Sequence, residues 1–392
     1  MNRGSWVRVS LVLALVALAA TAPAWLPGYY LQLSTRSLIL AITAMSFILV
    51  AGYGGMVSLA QMSFFAAAGY ITGICVMTHG WSHALAIPAA LVGTVLLSAA
   101  FAGLAIRAKG IYFLMMTLAL SQLSYGVTLH WVEVTRGWEG FSGITRPVIF
   151  GRSLIEPVPM FYVTLVIATA SYLILHRVVQ SPFGLALQGI RDNPVKMRAL
   201  GYDVQLHRFV ALVVSGFFAG VAGVLGVFYY GGVSPTTTGL SQILLVVMAA
   251  IVGGTSLLEG GIVGSFVTVL LMSFASQFTQ RYMSIIGLVF VLVIILLPQG
   301  MLGSKRQLTG AYSRTRALFE GGMSAATAWI ARRGDGTSGA IDKAKKLSLP
   351  ARDGMTGDSA LGCAARSAHR EERAEGTYHV TGSGSAEESA QN

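Results

Sequence analysis

Residues 52–65 read GYGGMVSLAQMSFF, and they interrupt a long apolar part of the chain. Three glycines fall within four positions, at Gly52, Gly54 and Gly55. A strand would be weakened by each of them, since glycine loses the most backbone freedom and offers no side chain to pack. A plain membrane-crossing helix has no use for the polar side chains of Ser58, Gln61 and Ser63 that follow. The stretch reads as a purposeful break between two helices. It either re-enters the membrane and exposes backbone, or lets two helices approach closely.

The surrounding composition decides which medium the break sits in. Of 392 residues 54% are hydrophobic and only 11% charged, with a mean hydropathy of +0.67. Soluble domains run to about 25% charged. Through Gly300 there are 14 Lys or Arg and six acids, whereas the last 92 residues hold 13 basic and 10 acidic side chains. Residues 1–303 therefore read as a membrane domain and 304–392 as a largely disordered, solvated extension. Within that extension, 311–333 has the outline of an interfacial amphipathic helix.

Ten apolar stretches can be drawn, at 7–26, 37–52, 60–78, 84–106, 110–129, 161–176, 208–229, 239–255, 262–279 and 284–298. Their lengths suit helices crossing a core of about 30 Å, and none alternates as a barrel strand would. The expected fold is all-α and polytopic, with about ten transmembrane helices. The first stretch follows Arg3 and Arg8 and ends in small residues, the outline of a secretory leader, but its length favours an uncleaved span. Placing the N-terminus inside puts Arg3, Arg8, Arg107, Lys109, Arg177, Arg191, Lys196, Arg198 and Arg208 in the cytoplasm. Arg36, Arg136, Arg146, Arg152 and Arg281 then lie outside. Nine against five obeys the positive-inside rule, and both termini fall in the cytoplasm.

Several function classes are disfavoured. None of the ten stretches holds a charged residue well inside it, which argues against a pump driven by its own ion gradient. No GxxxxGK[ST] phosphate loop occurs, nor HExxH, nor GxSxG, so neither ATP binding by a P-loop nor an intramembrane enzyme is expected. His79 and His83 flank Trp81 in a short loop and read as interfacial residues. Cys75 and Cys363 have no metal-type spacing. The net charge of +11 lies in loops without interleaved aromatics, so no nucleic-acid partner is expected. What remains is a conduit without an engine of its own.

The longest interior loop, about 177–208, reads RVVQSPFGLALQGIRDNPVKMRALGYDVQLHR. Ser181-Pro182-Phe183-Gly184 gives a turn signal, followed by a helix-capable stretch to Ile190. Asp192 or Asn193 can cap a second helix that has Pro194 in its first turn and stops at Gly201.

This loop resembles the cytoplasmic coupling segment of the branched-chain amino-acid permease family of ABC importers, whose members carry an SPFGRALRAIREN-like stretch. The break at 52–70 is similar to that family's GxxSLGHxxFxxxGAY signature. KGIYFLMMTLALSQ (109–122), IVGGTSLLEGGIVGSF (251–266) and LLPQGMLG (296–303) resemble further family segments. TRGWEGFSGI (135–144) is similar to the exterior loop of the LivM-type member. Lys196-Met197, Ala60-Gln61 and Glu259-Gly260-Gly261 depart from the family pattern.

The resemblance implies an importer of branched-chain or related amino acids in a bacterial-type inner membrane. A second permease subunit would complete the pore, two ABC ATPase subunits would dock beneath it, and a soluble periplasmic or extracellular binding protein would feed it. ATP would be bound by the partner ATPase, with no cofactor in this chain. The coupling helix would lie within 181–203: Ser181, Pro182, Phe183 and Gly184 open the segment, and Gly201 closes it. Arg191, Asp192, Asn193, Lys196 and Arg198 would orient it, with Met197 and Leu200 as an apolar knob. Gly54, Gly55, Ser58, Gln61, Thr117, Ser121 and Gln122 are candidate linings of the substrate path, and selectivity would sit largely in the binding protein. A stand-alone secondary transporter or facilitative channel, and a membrane scaffold, are the competing readings. Copurification with an ATPase separates the first from both.

Overall fold

The computed structural model describes residues 27–278 apart from 109, 150 and 151, together with the isolated positions 21, 23, 25, 287, 288 and 291. The expected spans 7–26 and 284–298, the segment 296–303, Lys109 and the extension 304–392 lie outside the described residues.

The described residues from Pro27 onward are mostly helical, as a membrane-spanning chain must be where no water satisfies backbone groups. The helices are α1 Gly28–Ile48, α2 Gln61–Gly73, α3 His83–Ala105, α4 Ile111–His130 and the short α5 Val132–Thr135. After a loop come α6 Pro157–Gln180, α7 Pro182–Asp192, α8 Pro194–Ala199, α9 Val204–Tyr230, α10 Leu240–Gly253 and α11 Leu258–Phe278. Wide π turns extend α1 over Leu49–Tyr53 and α2 over Ile74–Thr78.

Among the described residues seven helices are long and apolar enough to cross a membrane, at Gly28–Tyr53, Gln61–Thr78, His83–Ala105, Ile111–His130, Pro157–Gln180, Val204–Tyr230 and Leu258–Gln277. The expected span at 239–255 is instead a 14-residue helix, α10, entered by a 3₁₀ turn at Pro235–Thr238 and ended by Gly254 at φ 103°. With 7–26 and 284–298 outside the described residues, the seven long helices and the shorter α10 account for the other eight expected spans. A second correction concerns α1. It begins at Gly28 rather than near 37, because Pro27 supplies the first turn's acceptor to Tyr30 and Leu31. Arg36 is therefore inside a membrane-length helix, not in a loop.

Two helices form the centre. In α1 and α9, 78% and 72% of the most apolar window is buried, against 28% in α3 and 22% in α4. The open apolar faces of α3 and α4, with Leu85, Val92, Leu96, Ile111 and Met115, suit lipid, which is as apolar as any core. Helix association in lipid then rests on close packing at small residues. Gly216 and Gly220 of α9 lie against Ser98 and Thr94 of α3, a matched four-residue spacing on both sides. Gly260 and Gly264 of α11 approach Gly253 and Ala249 of α10 in the same way, and Gly73 faces Phe141. Gly216 with Gly220, and Gly260 with Gly264, each pair spaced four residues apart, form packing faces.

One end of the bundle is closed by the 131–156 loop. Strand β1 (Phe141–Ser142) pairs antiparallel with β4 (Gly232–Val233), Phe141 opposite Val233, while β2 (Val148–Ile149) pairs with β3 (Arg152–Ser153). Phe141 is buried with Tyr70, Ile144 and Val227, and Arg136 lies over its ring at 5.1 Å. The other end carries α7 and α8.

Candidate coupling seat and substrate cavity

The candidate coupling segment, 181–203, folds as two capped helices. Ser181 accepts from Gly184 N at 3.4 Å and Pro182 occupies the first position of α7, so the SPFG stretch is the first helical turn rather than a separate turn before it. The reason is local: a serine cap followed by proline pre-sets helical backbone. Gly184 is required there because a Cβ would overlap the Val179 carbonyl of α6. Asn193 caps α8 by accepting from Val195 N and Lys196 N at 3.1 and 3.0 Å. At the far end Gly201 N donates to Arg198 O and Tyr202 N to Met197 O, with Gly201 at φ 87°. That is a Schellman ending, and it fixes where α8 stops. Asp203 then caps α9 through Gln205 N and Leu206 N.

Leu187 and Ile190 of α7 are fully buried, and Phe183 stacks on His207 of α9 at 5.6 Å. The outer surface presents Leu185, Val195 and Leu200, each more than 60% exposed, together with Lys196 and Arg198. Met197 turns inward, its sulfur packed at Gly189, whereas Leu200 projects. Arg191 pairs with Asp192 at 3.0 Å and donates from Nη1 to the Gly52 carbonyl at 2.6 Å. The same side chain covers Gly55, where an added Cβ would lie 2.5 Å from Arg191 Cγ. Gly55 also has φ 66°. Gly52 in turn meets the Thr255 carbonyl in the α10–α11 turn. The glycine-rich break is thus a seat on which α7 and the α10–α11 turn both rest.

Beyond the seat the chain runs without regular secondary structure through Met56 and Ser58, both buried, back into the bundle. Leu59 N donates to Thr117 Oγ1 in the second turn of α4 at 3.2 Å. Gln61, 2% exposed, accepts from Ser46 of α1 at 3.2 Å and donates to Ser215 of α9 at 2.7 Å. Ser63 and Ser121 share a hydrogen bond at 2.7 Å, and Gln122 faces outward. Of the polar residues singled out in the sequence, Gln61, Ser63, Thr117 and Ser121 are tied by hydrogen bonds to neighbouring segments of the bundle. Ser58 and Gln61 also line a narrow void with Phe47, Met62 and Val246 that has no room for a water.

Above that void, toward the 131–156 loop, a cavity of about 410 Å³ opens between α1, α2 and α10. Met62 and Val246 line both spaces, forming the floor of the upper one. Arg36 and Thr43 enter from α1, Glu139 and Ser142 from the loop, and Gln242 from α10. The β1–β4 pairing is what holds Ser142 and Gly232 at the wall. The sequence reading did not single out these residues. Tyr29, Tyr30 and Leu31 were the available signal: interfacial aromatics ahead of an apolar run extend the helix back past Arg36.

The family described as branched-chain amino acid transport system / permease component matches residues 29–298. The chain belongs to this permease family. The family is one of transport components rather than enzymes. The high-affinity branched-chain amino acid transport system permease protein LivM of Salmonella typhimurium is 26% identical over 329 residues, covering 77% of each chain. The ribose import permease protein RbsC of Haemophilus influenzae is 25% identical over 57% of this chain and 70% of its own. The autoinducer 2 import system permease protein LsrC of Escherichia coli O9:H4 is 28% identical over 64% and 73%. The permease is thus a multi-pass membrane protein whose relatives carry cargoes of different chemistry.

Proposed function

We propose that the chain is the membrane permease subunit of an ABC importer that moves branched-chain or related amino acids into the cytoplasm. Residues 1–303 would form the permease domain, with ten crossings, both termini in the cytoplasm of a bacterial-type inner membrane, and 304–392 as a cytoplasmic extension. The end with α7 and α8 then faces the cytoplasm and the 131–156 loop faces outside. A second permease subunit, two ATPase subunits and a soluble binding protein complete the machine.

One observation carries the reading: Arg191 on α7 is bonded to the carbonyl of Gly52, at the end of the central helix α1. A helix that receives force from an ATPase must be stiff, and it must be anchored to the spans that line the path. α7 and α8 are capped at both helix starts, and α8 is closed by a Schellman turn. Substrate would enter the upper cavity and pass Ser58 and Gln61 when α1, α2 and α10 part. The test is affinity purification of the full chain from its native membrane, followed by uptake of labelled leucine in vesicles. An ABC ATPase should copurify, and uptake should cease on ATP depletion. Uptake by the chain alone, without an ATPase, would establish a stand-alone transporter instead.

A further inference from the structure

Arg36 is explained neither by coupling nor by packing. It stands in the third turn of α1, inside a membrane-length helix. Ionisable residues at such depth are expensive, and they face a cavity or a partner. Among the described residues Arg36 Nη2 donates to Met272 Sδ at 3.4 Å, Tyr229 lies near enough to feel its charge, and no carboxylate pairs with it. It lines the 410 Å³ cavity, where, among the described residues, it is the one cation and Glu139 the one anion. The remaining wall is mixed, with Ile39, Phe65 and Leu245 apolar and Thr236 and Thr237 carrying hydroxyls. At roughly 30 Å³ per water the cavity has room for an amino acid of leucine's size with water beside it.

We propose that this cavity is a substrate site of the permease itself, which takes a zwitterionic α-amino acid with an apolar side chain. Arg36 receives the carboxylate, Glu139 faces the ammonium, and Ile39, Phe65 and Leu245 hold the side chain. The planar guanidinium fork matches a carboxylate in a two-point hydrogen bond, whereas a sugar offers it no counter-charge. The proposal rests on the importer reading, with this end of the bundle outside. It gives the permease a share of the selectivity that the sequence reading assigned largely to the binding protein.

The experiment uses the full-length chain in nanodiscs, with Cys75 and Cys363 replaced by serine and Thr236→Cys as a reporter on the cavity wall. Alkylation by a charged maleimide is timed with L-leucine, leucinamide or D-ribose present. Leucine at ten times its dissociation constant should slow the reaction about tenfold by mass action, and ribose should not. Leucinamide, lacking the carboxylate, should protect poorly. Arg36→Gln should weaken leucine protection about 10–100-fold, the range for loss of a charge-assisted hydrogen bond, and Arg36→Lys should retain part of it. The unliganded alkylation rate reports whether Arg36→Gln keeps its fold, and where it does not, Arg36→Lys with leucinamide carries the test. No protection by leucine, equal protection by ribose, or full protection in Arg36→Gln would overturn the site. The readout needs neither ATPase nor binding protein. Protection without ATP-dependent uptake would therefore sink the importer reading alone, and uptake without protection would sink the site alone.

Discussion

Gly52 has no room for a methyl group, because an added Cβ would overlap the Thr255 carbonyl, a backbone atom that cannot rotate away. Gly52→Ala should therefore destabilise the protein by about 1–3 kcal/mol, the usual range for overpacking. Gly28→Ala is the matched control, since nothing lies within 4 Å of that position, and its melting temperature should equal the parent's. Gly55 adds a conformational demand at φ 66° to the steric one from Arg191. For the polar residues the opposite logic applies. Ser121 is fully buried and bonded to Ser63. Ser121→Ala should cost about 0.6 kcal/mol, the mean for interhelical hydrogen bonds in membranes, and leave the KM for leucine uptake unchanged. A raised KM would place Ser121 in the substrate path rather than in packing. The sequence shows that these residues are unusual for a lipid-facing helix, but not which helices they tie together. A hydrogen bond between positions 61 and 215 has no local signature.

At the scale of elements, α7 and α8 were legible because their ends are set by short-range chemistry. Asn193 before Pro194, and Gly201 after Leu200, declare a helix start and stop without any tertiary contact. The Ser181 cap was equally present in the sequence, but SPFG also satisfies turn rules, and only the close approach of Gly184 to Val179 decides for helix. Asn193→Ala should cost about 0.5–2 kcal/mol of local stability, read as faster amide exchange in α8. Gly201→Pro is harsher, since proline fixes φ near −65° where this residue has 87°. It also removes the N–H that bonds Arg198 O. That variant, or deletion of 192–200, should abolish uptake while the protein still inserts in the membrane; normal uptake would refute the coupling role. Arg191→Ala should have a narrower effect. It frees the Gly52 carbonyl and unloads Gly55, so the ATPase should stay bound while substrate-dependent ATP hydrolysis falls.

For the whole molecule the open matter is how α10 counts. A helix of 14 residues rises only about 21 Å, short of a bilayer core, and hydropathy windows cannot distinguish it from a full span. The structure supplies what the windows lack. Val233, just before it, pairs with Phe141 at the loop end, and Thr255, just after it, meets Gly52 at the seat end. The segment between them therefore travels from one end of the bundle to the other despite the short helix. That preserves the alternation on which the ten-span topology rests, and it makes a sharp expectation. With Cys75 and Cys363 replaced by serine, Trp81→Cys should react with an impermeant maleimide in intact cells. Tyr202→Cys and Ser256→Cys should react only after permeabilisation. Labelling of Ser256→Cys from outside would mean that α10 turns back, that α11 runs the other way, and that the positive-inside assignment fails for everything after α9.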